Sequence, residues 1–543
     1  MTVKTKMKGT HPFKSFRKEQ QAAIDSCVSA VKKGFKYIIL EAPTGSGKSA
    51  IAVEILQHLG SGRILTPQVI LQDQYISDYP EFQLLKGASR YKCHLDGPPK
   101  NLGIIPTSAK QWTKCAETKN CSEGTKWFNS NLGAFSRCEG CTYEVALKKA
   151  AKADYSILNY HSFYFQNKMR MGIFNGTNLV LDEGHNVPKI VTDLFQRSFE
   201  EEPFVSFTAP DPSVCFANRN FKFTKSVDVI EPQFLEDLFD NYIYEMQKEI
   251  LSLEPHSHKS SIKRMLLNYK EKISQAKFQR QNINTSFFSY TFDEKAGRKK
   301  ITSTPIAVKG ILKSQIFDVN ETIIFMSATI LDTKIFCKEL GLKPEEVFHC
   351  KVPNSFDADK HSVVYVHTED GPSMAYSQRK DSLPILIEDI RDILRNHPNE
   401  KGLIHTQSFN ILNSIVMGIK SPRFTYQAKN RARLLEDHKT KPNSVLVAPG
   451  MKEGVNLVGA ESTFQIIVCV PFPVYNHYTM WKFVTNPGYK EWCTSIALIQ
   501  SLGRSIRTSN DTCTTYLLDA RFLEFVPRIK HYLTDYQREV FDV

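Results

Sequence analysis

The chain has 543 residues, 41% apolar and 23% charged, with 26 Gly and 26 Pro. This is globular composition with room for several domains, and it excludes wholesale disorder, collagen and low-complexity architecture. Lys plus Arg number 70 against 57 Asp plus Glu, a formal charge of +13 that favours a polyanionic partner such as nucleic acid. No apolar run approaches the ~18–20 residues of a membrane span. The segment Met1 to Pro12 is polar and basic, without the apolar core of a secretory signal. A protein retained where it is made is expected, in the cytoplasm or nucleoid, or in the nucleus of a eukaryote.

In chain order, Arg17 to Val31 has helical periodicity, and Tyr37–Leu40 reads as a short buried strand. A Gly-rich turn follows, then a helix over Ala50–His58 and a strand over Arg63–Thr66. This β-loop-α-β run opens an α/β domain with a parallel sheet. Residues 86–141 lose the rhythm and hold Cys93, Cys115, Cys121, Cys138 and Cys141. In a chain without a secretion signal, such a local cluster reads as metal binding. The rhythm resumes at Tyr143 and leads to the apolar run Asn178–Leu181, which ends in acids. Residues 201–305 read as mainly helical, with Phe234–Leu253 and Ile262–Phe278 the clearest stretches. Between Lys259 and Arg280 lie seven basic residues and one acid, Glu271; by spacing alone this is a solvated helix face. From Thr322 the β/α alternation returns and runs to the end.

Three motifs carry chemistry. Glu41-Ala42-Pro43-Thr44-Gly45-Ser46-Gly47-Lys48-Ser49 lies between strand and helix. Gly45 and Gly47 let backbone N–H groups approach phosphate oxygens at a helix N-terminus. Lys48 can reach the β- and γ-phosphates, and the Ser49 hydroxyl can bind Mg²⁺. Ala42 stands where the usual pattern has Gly. The second motif, Leu179-Val-Leu-Asp182-Glu183-Gly184-His185, is an apolar strand ending in two acids. Asp182 suits Mg²⁺, and Glu183 suits the orientation and deprotonation of an attacking water. The third, Gln500-Ser-Leu-Gly-Arg504-Ser-Ile-Arg507, places two arginines three apart on one helix face, where their planar forks can pair with phosphate oxygens.

In this order the motifs resemble a superfamily 2 helicase. Arg17-x-x-Gln20 precedes the phosphate loop. Leu65–Gln72 looks like motif Ia, Phe325–Thr329 like motif III, Gly402–Ser408 like motif IV and Lys452–Leu457 like motif V. Asp519-Ala-Arg521-Phe522 also fits. The finer resemblance is to the XPD/DinG-like iron–sulfur helicases, with a DEAH-type box. It is carried by Glu41 before Ala-Pro-Thr-Gly, Lys86-Gly-x-x-x-Tyr91-x-Cys93, Cys141-x-Tyr143, Leu158–His161, Asp182–His185, Pro471-Phe472-Pro473 and Gln500–Arg507. It spans most of Arg17 to Phe522 and is weakest over 200–300 and 409–440. Asn456 departs from the pattern, since the family usually has Asp there.

The resemblance implies an α/β fold of two RecA-like P-loop domains. The first is divided into 1–85, 142–200 and 306–330. A cysteine-rich iron–sulfur domain at 86–141 and an Arch-like insertion at 201–305 interrupt it. The second domain spans 331–543. ATP would be held by Arg17, Gln20, residues Ala42 to Ser49, Asp182 and Glu453. Lys48, Asp182, Glu183, His185, Gln500, Arg504 and Arg507 would carry hydrolysis. Cys93, Cys115, Cys121 and Cys141 are the implied ligands of a [4Fe–4S] cluster. Cys138 rivals a middle ligand, and zinc is the alternative ion, because four thiolates suit either.

The implied activity is ATP-dependent 5′→3′ translocation on single-stranded DNA with unwinding of duplex or forked DNA, in replication or repair. The alternative is a translocase that removes protein or RNA, as from RNA–DNA hybrids. A monomer without membrane association is expected, and the compact size suits a bacterial or phage protein. On this reading the basic helix of the Arch becomes a lining of the DNA passage. Tyr160, Phe163 and Tyr164 near the strand path read as core side chains before base-stacking platforms.

Overall fold

The computed structural model describes residues 15–87, 90–91, 142–205, 215–216, 232–258, 260–293, 297–354, 356–426, 431–449, 457, 459–506, 508 and 510–543. The first sheet is built from β1 (Tyr37–Glu41), β2 (Gly62–Thr66), β3 (Gln83–Leu85), β4 (Tyr155–Asn159) and β5 (Leu179–Asp182). A third, antiparallel sheet holds β6 (Arg197–Glu200), β7 (Cys215–Phe216), β8 (Ser286–Asp293) and β9 (Arg298–Pro305). The chain then returns to the first sheet with β10 (Ile323–Ser327) and β11 (Val347–Lys351). The second sheet contains β12 (His361–Tyr365), β13 (Gly402–His405), β14 (Phe424–Thr425), β15 (Val445–Ala448), β16 (Phe464–Ile467) and β17 (Cys513–Leu517).

The first sheet has the order β11-β1-β10-β5-β2-β4-β3 and is parallel throughout. Its strands are short continuous apolar runs because both faces are covered. Ile38, Leu40, Val180 and Ile324 pack under the helices Lys18–Lys32 and Lys48–Leu59. Ile39, Leu181, Ile323 and Phe325 point the other way, into a core that also holds Trp492, Ile499, Leu502 and Phe522 from the second α/β unit. That shared core keeps the two units together. The second sheet, β12-β17-β16-β13-β15-β14, is also parallel.

Parallel register decides what lies at the carboxyl ends of the strands, where α/β sheets place their ligands. Glu41 of β1 is opposite Ser327 of β10, and Met326 of β10 is opposite Asp182 of β5. The start of the phosphate loop, the Ser-Ala-Thr segment and the acidic box are thereby brought side by side.

One expectation needs correction and another needs an addition. The anticipated start of the second domain at 331 is too early, because β11 pairs with β1 and the second sheet begins with His361. An edge strand after a helix reads the same in sequence whichever sheet it joins. The described residues of the 201–305 insertion are mainly helical, but the insertion also contributes strands that the sequence reading does not name. The helices Pro232–Leu253 and Ser260–Gln281 pack on the sheet β6-β9-β8-β7, burying Phe199, Phe239, Tyr242, Tyr269 and Phe288 together. Long alternating polar strands such as Arg298–Pro305 give a weak strand signal, since apolar residues are sparse on them.

Candidate active site

The phosphate loop is shaped by two left-handed glycines, Gly45 at φ 79° and Gly47 at φ 80°, a region costly for residues with a Cβ. Gly47 caps the helix Lys48–Leu59, so the free N–H groups of its first turn face the loop. Behind the loop, Gln20 is buried and donates from Nε2 to the Ser46 carbonyl at 2.8 Å, while its Oε1 accepts from the Arg17 N–H at 2.8 Å. Arg17 Nη2 reaches the Gly45 carbonyl at 3.2 Å. A Cβ on Gly47 would lie 2.3 Å from Gln20 Nε2, so the glycine also makes room for this brace. Ala42 is wholly buried, and its N–H bonds the Ser327 carbonyl at 2.9 Å. Its side chain is a core contact, which is why Ala serves where Gly is usual.

Glu41, one residue earlier, proves to be a structural bracket. Its Oε1 accepts from the Ile330 and Leu331 N–H groups at 2.9 Å each, and Oε2 sits 3.2 Å from His349 Nε2. Burial opposes its ionisation, yet the His349 and Leu331 hydrogen bonds prevail and hold the carboxyl below its usual range. The sequence marked Glu41 by resemblance only; its partners lie about 300 residues away.

Asp182 ends β5 almost fully enclosed. Burial, with repulsion from Glu183, pushes its carboxyl up to about 7, against the pull of Lys48 and the Glu183 N–H. A cation placed there would favour the ionised carboxylate, and Asp182 and Ser49 are the hard oxygen donors that could hold Mg²⁺. Tyr160 fixes the same turn, its hydroxyl donating to the Asp182 carbonyl at 2.8 Å. Glu183 is left-handed at φ 50°, and Gly184 follows where a Cβ would come within 3.1 Å of the Met326 backbone nitrogen. The turn therefore lies directly against β10.

His185 is buried and links the two units. Ser327 Oγ is 2.8 Å from its Nδ1, Glu183 Oε2 is 3.6 Å from the same nitrogen, and Gln500 Nε2 is 2.9 Å from its Nε2. With the Gln500 amide donating, Nε2 is the acceptor and Nδ1 carries the proton that Ser327 accepts. Gln500 Nε2 also lies 3.3 Å from Thr329 Oγ1. Ser327 and Thr329 were legible only as part of a motif III match; their chemistry appears once β10 lies beside β5.

Gln500 lies on the helix Tyr489–Leu502, whose end meets the phosphate loop: a Cβ on Gly503 would sit 3.4 Å from Thr44 Oγ1. Trp492 anchors this helix by donating to the Ile330 carbonyl at 2.7 Å. Arg504 is buried, with its Nε on the Gln500 carbonyl at 3.0 Å. Arg507, Glu453 and Asn456 lie outside the described residues. A cavity of about 660 Å³ opens between the units, lined by Pro43, Thr44, Thr329, Gln500 and Gly503.

Cys93, Cys115, Cys121, Cys138 and Cys141 also lie outside the described residues. The two ends of that segment meet: Tyr91 and Tyr143 pack edge to face at 5.4 Å, and the Tyr91 hydroxyl accepts from the Lys86 N–H at 3.1 Å. Among the described residues, no group of three or more His, Cys, Asp or Glu is placed to hold a metal ion. Tyr160 and Phe163 are buried core side chains, and the half-buried Tyr164 packs on Phe195 at 4.8 Å. On the basic helix, Lys270 pairs with Glu254, Lys272 with Glu202 and Arg280 with Asp240, which favours the structural reading of those three charges.

Residues 13–209 match the family described as type III restriction enzyme, res subunit, and residues 390–540 match the helicase C-terminal domain family. A probable ATP-dependent helicase of Methanocaldococcus jannaschii is 22% identical, over 98% of this chain and 96% of its own. A solved XPD helicase superposes with a TM-score of 0.60 at 16% identity, covering 96% of this chain and 98% of that one. S. tokodaii Xpd4 gives 0.56 at 14% identity, again covering 96% and 98%. The α/β fold with its two parallel sheets is thus similar to that of the solved XPD helicases, which have two RecA-like domains. No helix among the described residues is long and apolar enough to cross a membrane.

Proposed function

We propose that this XPD-like superfamily 2 chain is an ATP-dependent helicase that moves 5′→3′ on single-stranded DNA and unwinds duplex or forked DNA. The observation that carries the reading is the buried Gln500–His185 contact at 2.9 Å. It joins the acidic box of one unit to the helix Tyr489–Leu502 of the other, which Arg504 follows, as a motor that converts hydrolysis into domain movement requires.

On this reading Gly45, Gly47 and the helix N-terminus cradle the phosphates, and Lys48 neutralises the β/γ end. Ser49 and Asp182 hold Mg²⁺, which supplies charge neutralisation on the triphosphate. Glu183 orients the attacking water and takes its proton. His185, beside Glu183, links the acidic box to Ser327 and Gln500. Arg504 and Arg507 close on the γ-phosphate from the second unit. Loss of that phosphate loosens the closure, and the strand-gripping segments Leu65–Gln72, Gly402–Ser408 and Lys452–Leu457 shift relative to one another. Contacts to backbone phosphate are blind to sequence, so binding is steeply salt-dependent and unselective. Cys93, Cys115, Cys121 and Cys141 hold a [4Fe–4S] cluster whose role is to shape a small domain where the duplex parts. The Tyr91–Tyr143 contact supports this reading, because residues that flank the cysteine-rich segment lie together.

The test is strand displacement by protein purified without oxygen, on duplexes with a 5′ or a 3′ single-stranded tail. Unwinding from the 5′ tail alone is expected. Unwinding from the 3′ tail alone would keep the motor and overturn the polarity. DNA-stimulated hydrolysis with no unwinding from either tail would favour a translocase that strips protein or RNA. Cys93→Ser is expected to lose iron and unwinding while retaining ATPase activity; unchanged iron content would remove Cys93 from the ligand set.

A further inference from the structure

Leu331, just past the end of β10, has a left-handed backbone with φ 62°. The Asp332 N–H bonds the Ile330 carbonyl at 2.7 Å across it, so residues 330–332 form the rare three-residue turn with positive φ. A bulky residue in that conformation is strained and persists only where its surroundings hold it. Here the holders come from both units. Glu41 Oε1 accepts from the Ile330 and Leu331 N–H groups at 2.9 Å each, and Trp492 Nε1 donates to the Ile330 carbonyl at 2.7 Å. Glu41 ends the strand that leads into the phosphate loop. Trp492 lies about two turns before Gln500 on the helix Tyr489–Leu502. Thr329 Oγ1, one residue before Ile330, is 3.3 Å from Gln500 Nε2. Consecutive residues 329 and 330 thus run along this helix, and the strained turn fixes where they leave it.

Hydrogen bonds from N–H groups to a buried carboxylate are charge-assisted, and two of them on one oxygen can hold a leucine in the left-handed region. We propose that Glu41 and Leu331 are positioning residues for hydrolysis: the turn at Leu331, held by Glu41 against its strain, sets Thr329 and the Trp492 helix so that Gln500 meets His185. This rests on the ATPase reading above. The strand that opens the phosphate loop would in this way fix the placement of the second unit's helix, through a turn that belongs to neither motif.

The experiment measures steady-state ATP hydrolysis and the binding of a fluorescent ADP by the full chain. Glu41→Ala releases both N–H groups and leaves the turn unheld. Its kcat is expected to fall about 10-fold, the lower end for misplacing a group remote from the chemistry. ADP affinity should stay within about threefold of native, because Gln20 and Arg17 brace the loop independently of Glu41. Adding Leu331→Gly to Glu41→Ala should return kcat to within about threefold of native, since glycine takes left-handed backbone without strain. A role for Glu41 in charge or packing alone would not be rescued by a change at 331. A second series keeps Glu41, so it does not depend on the fold surviving its loss. Leu331→Val retains apolar bulk at this half-buried position but resists the left-handed region, and should lose about 10-fold in kcat. Leu331→Asn tolerates that region and should stay within about threefold. Native kcat in Glu41→Ala, no rescue in the double variant, an Asn variant poorer than the Val variant, or an ADP affinity that falls as far as kcat would overturn the proposal while leaving the ATPase reading intact. Native protein that hydrolyses no ATP would overturn both.

Discussion

Replacing Gln500 by Leu keeps approximate volume and removes the amide that joins the two units. His185 Nε2, at 2.9 Å, and Thr329 Oγ1, at 3.3 Å, both lose this donor in a buried setting. A hydrogen bond contributes about 1 kcal/mol net, and a buried group left unpaired costs about 1–3 kcal/mol. The 3.3 Å contact is long, so the shorter one dominates and the closed arrangement should lose about 2 kcal/mol. At about 1.4 kcal/mol per decade, that is a fall of roughly 30-fold in kcat/KM for ATP hydrolysis. Each unit keeps its own sheet and helices, so the melting temperature should move little. The sharper assay is a double-mutant cycle with His185→Ala. If the contact acts as one device, the double variant is scarcely worse than the poorer single, with a coupling of about 1–2 kcal/mol. Losses that add to within about 0.5 kcal/mol, or native kcat/KM in Gln500→Leu, would refute the reasoning.

Gly47→Ala and Gly60→Ala form a matched pair. Both glycines are left-handed, at φ 80° and 85°, so each alanine costs about 1–2 kcal/mol of conformational energy. Only at Gly47 does the new Cβ strike something, Gln20 Nε2 at 2.3 Å. Gly47→Ala should therefore weaken nucleotide binding at least 10-fold, and Gly60→Ala should lower the melting temperature without touching it; equal nucleotide affinities would disprove the role of the Gln20 brace. His361 is the pH probe. Burial lowers its pKa to about 4, against about 6.5 when unfolded. It is neutral in the folded protein, so its contribution is present in full above pH 6.5 and lost as pH falls toward 4. The ceiling is about 3 kcal/mol at ~1.4 kcal/mol per unit. Melting temperature should drop across that window, and His361→Gln should flatten the curve; a profile that the substitution leaves unchanged would sink the assignment.

The chain order of β-loop-α-β, the phosphate loop and the acidic box were legible as local patterns, whereas the helix expected to carry Arg504 ends at Leu502. Each depends on short-range physics. An apolar run long enough for one strand must be buried on both faces. Glycines at 45 and 47 permit a turn that other residues resist. Acids at a strand end have nowhere to go but the sheet's carboxyl edge. The assignment of Tyr160 and Phe163 to the core over the strand path followed from the same preference, and the structure buries both. The helical stretches of the insertion were visible too, because 3.6-residue periodicity survives in a polar sequence.

What remained hidden was whatever depends on partners far along the chain. That β11 joins the first sheet rests on pairing with β1, some 300 residues earlier, and an edge strand carries no mark of its sheet. The polar strands β8 and β9 are held by each other and by the helices above them, which no local window can reveal. Glu41 reads as an acid before a phosphate loop; only parallel register puts it under Ile330 and Leu331. Sequence by itself determined the two sheets' building units and the residue types able to handle phosphate and a cation. Tertiary structure decided which of those residues meet, because hydrogen bonds and buried charges are settled by packing across the sheet and not by spacing along the chain.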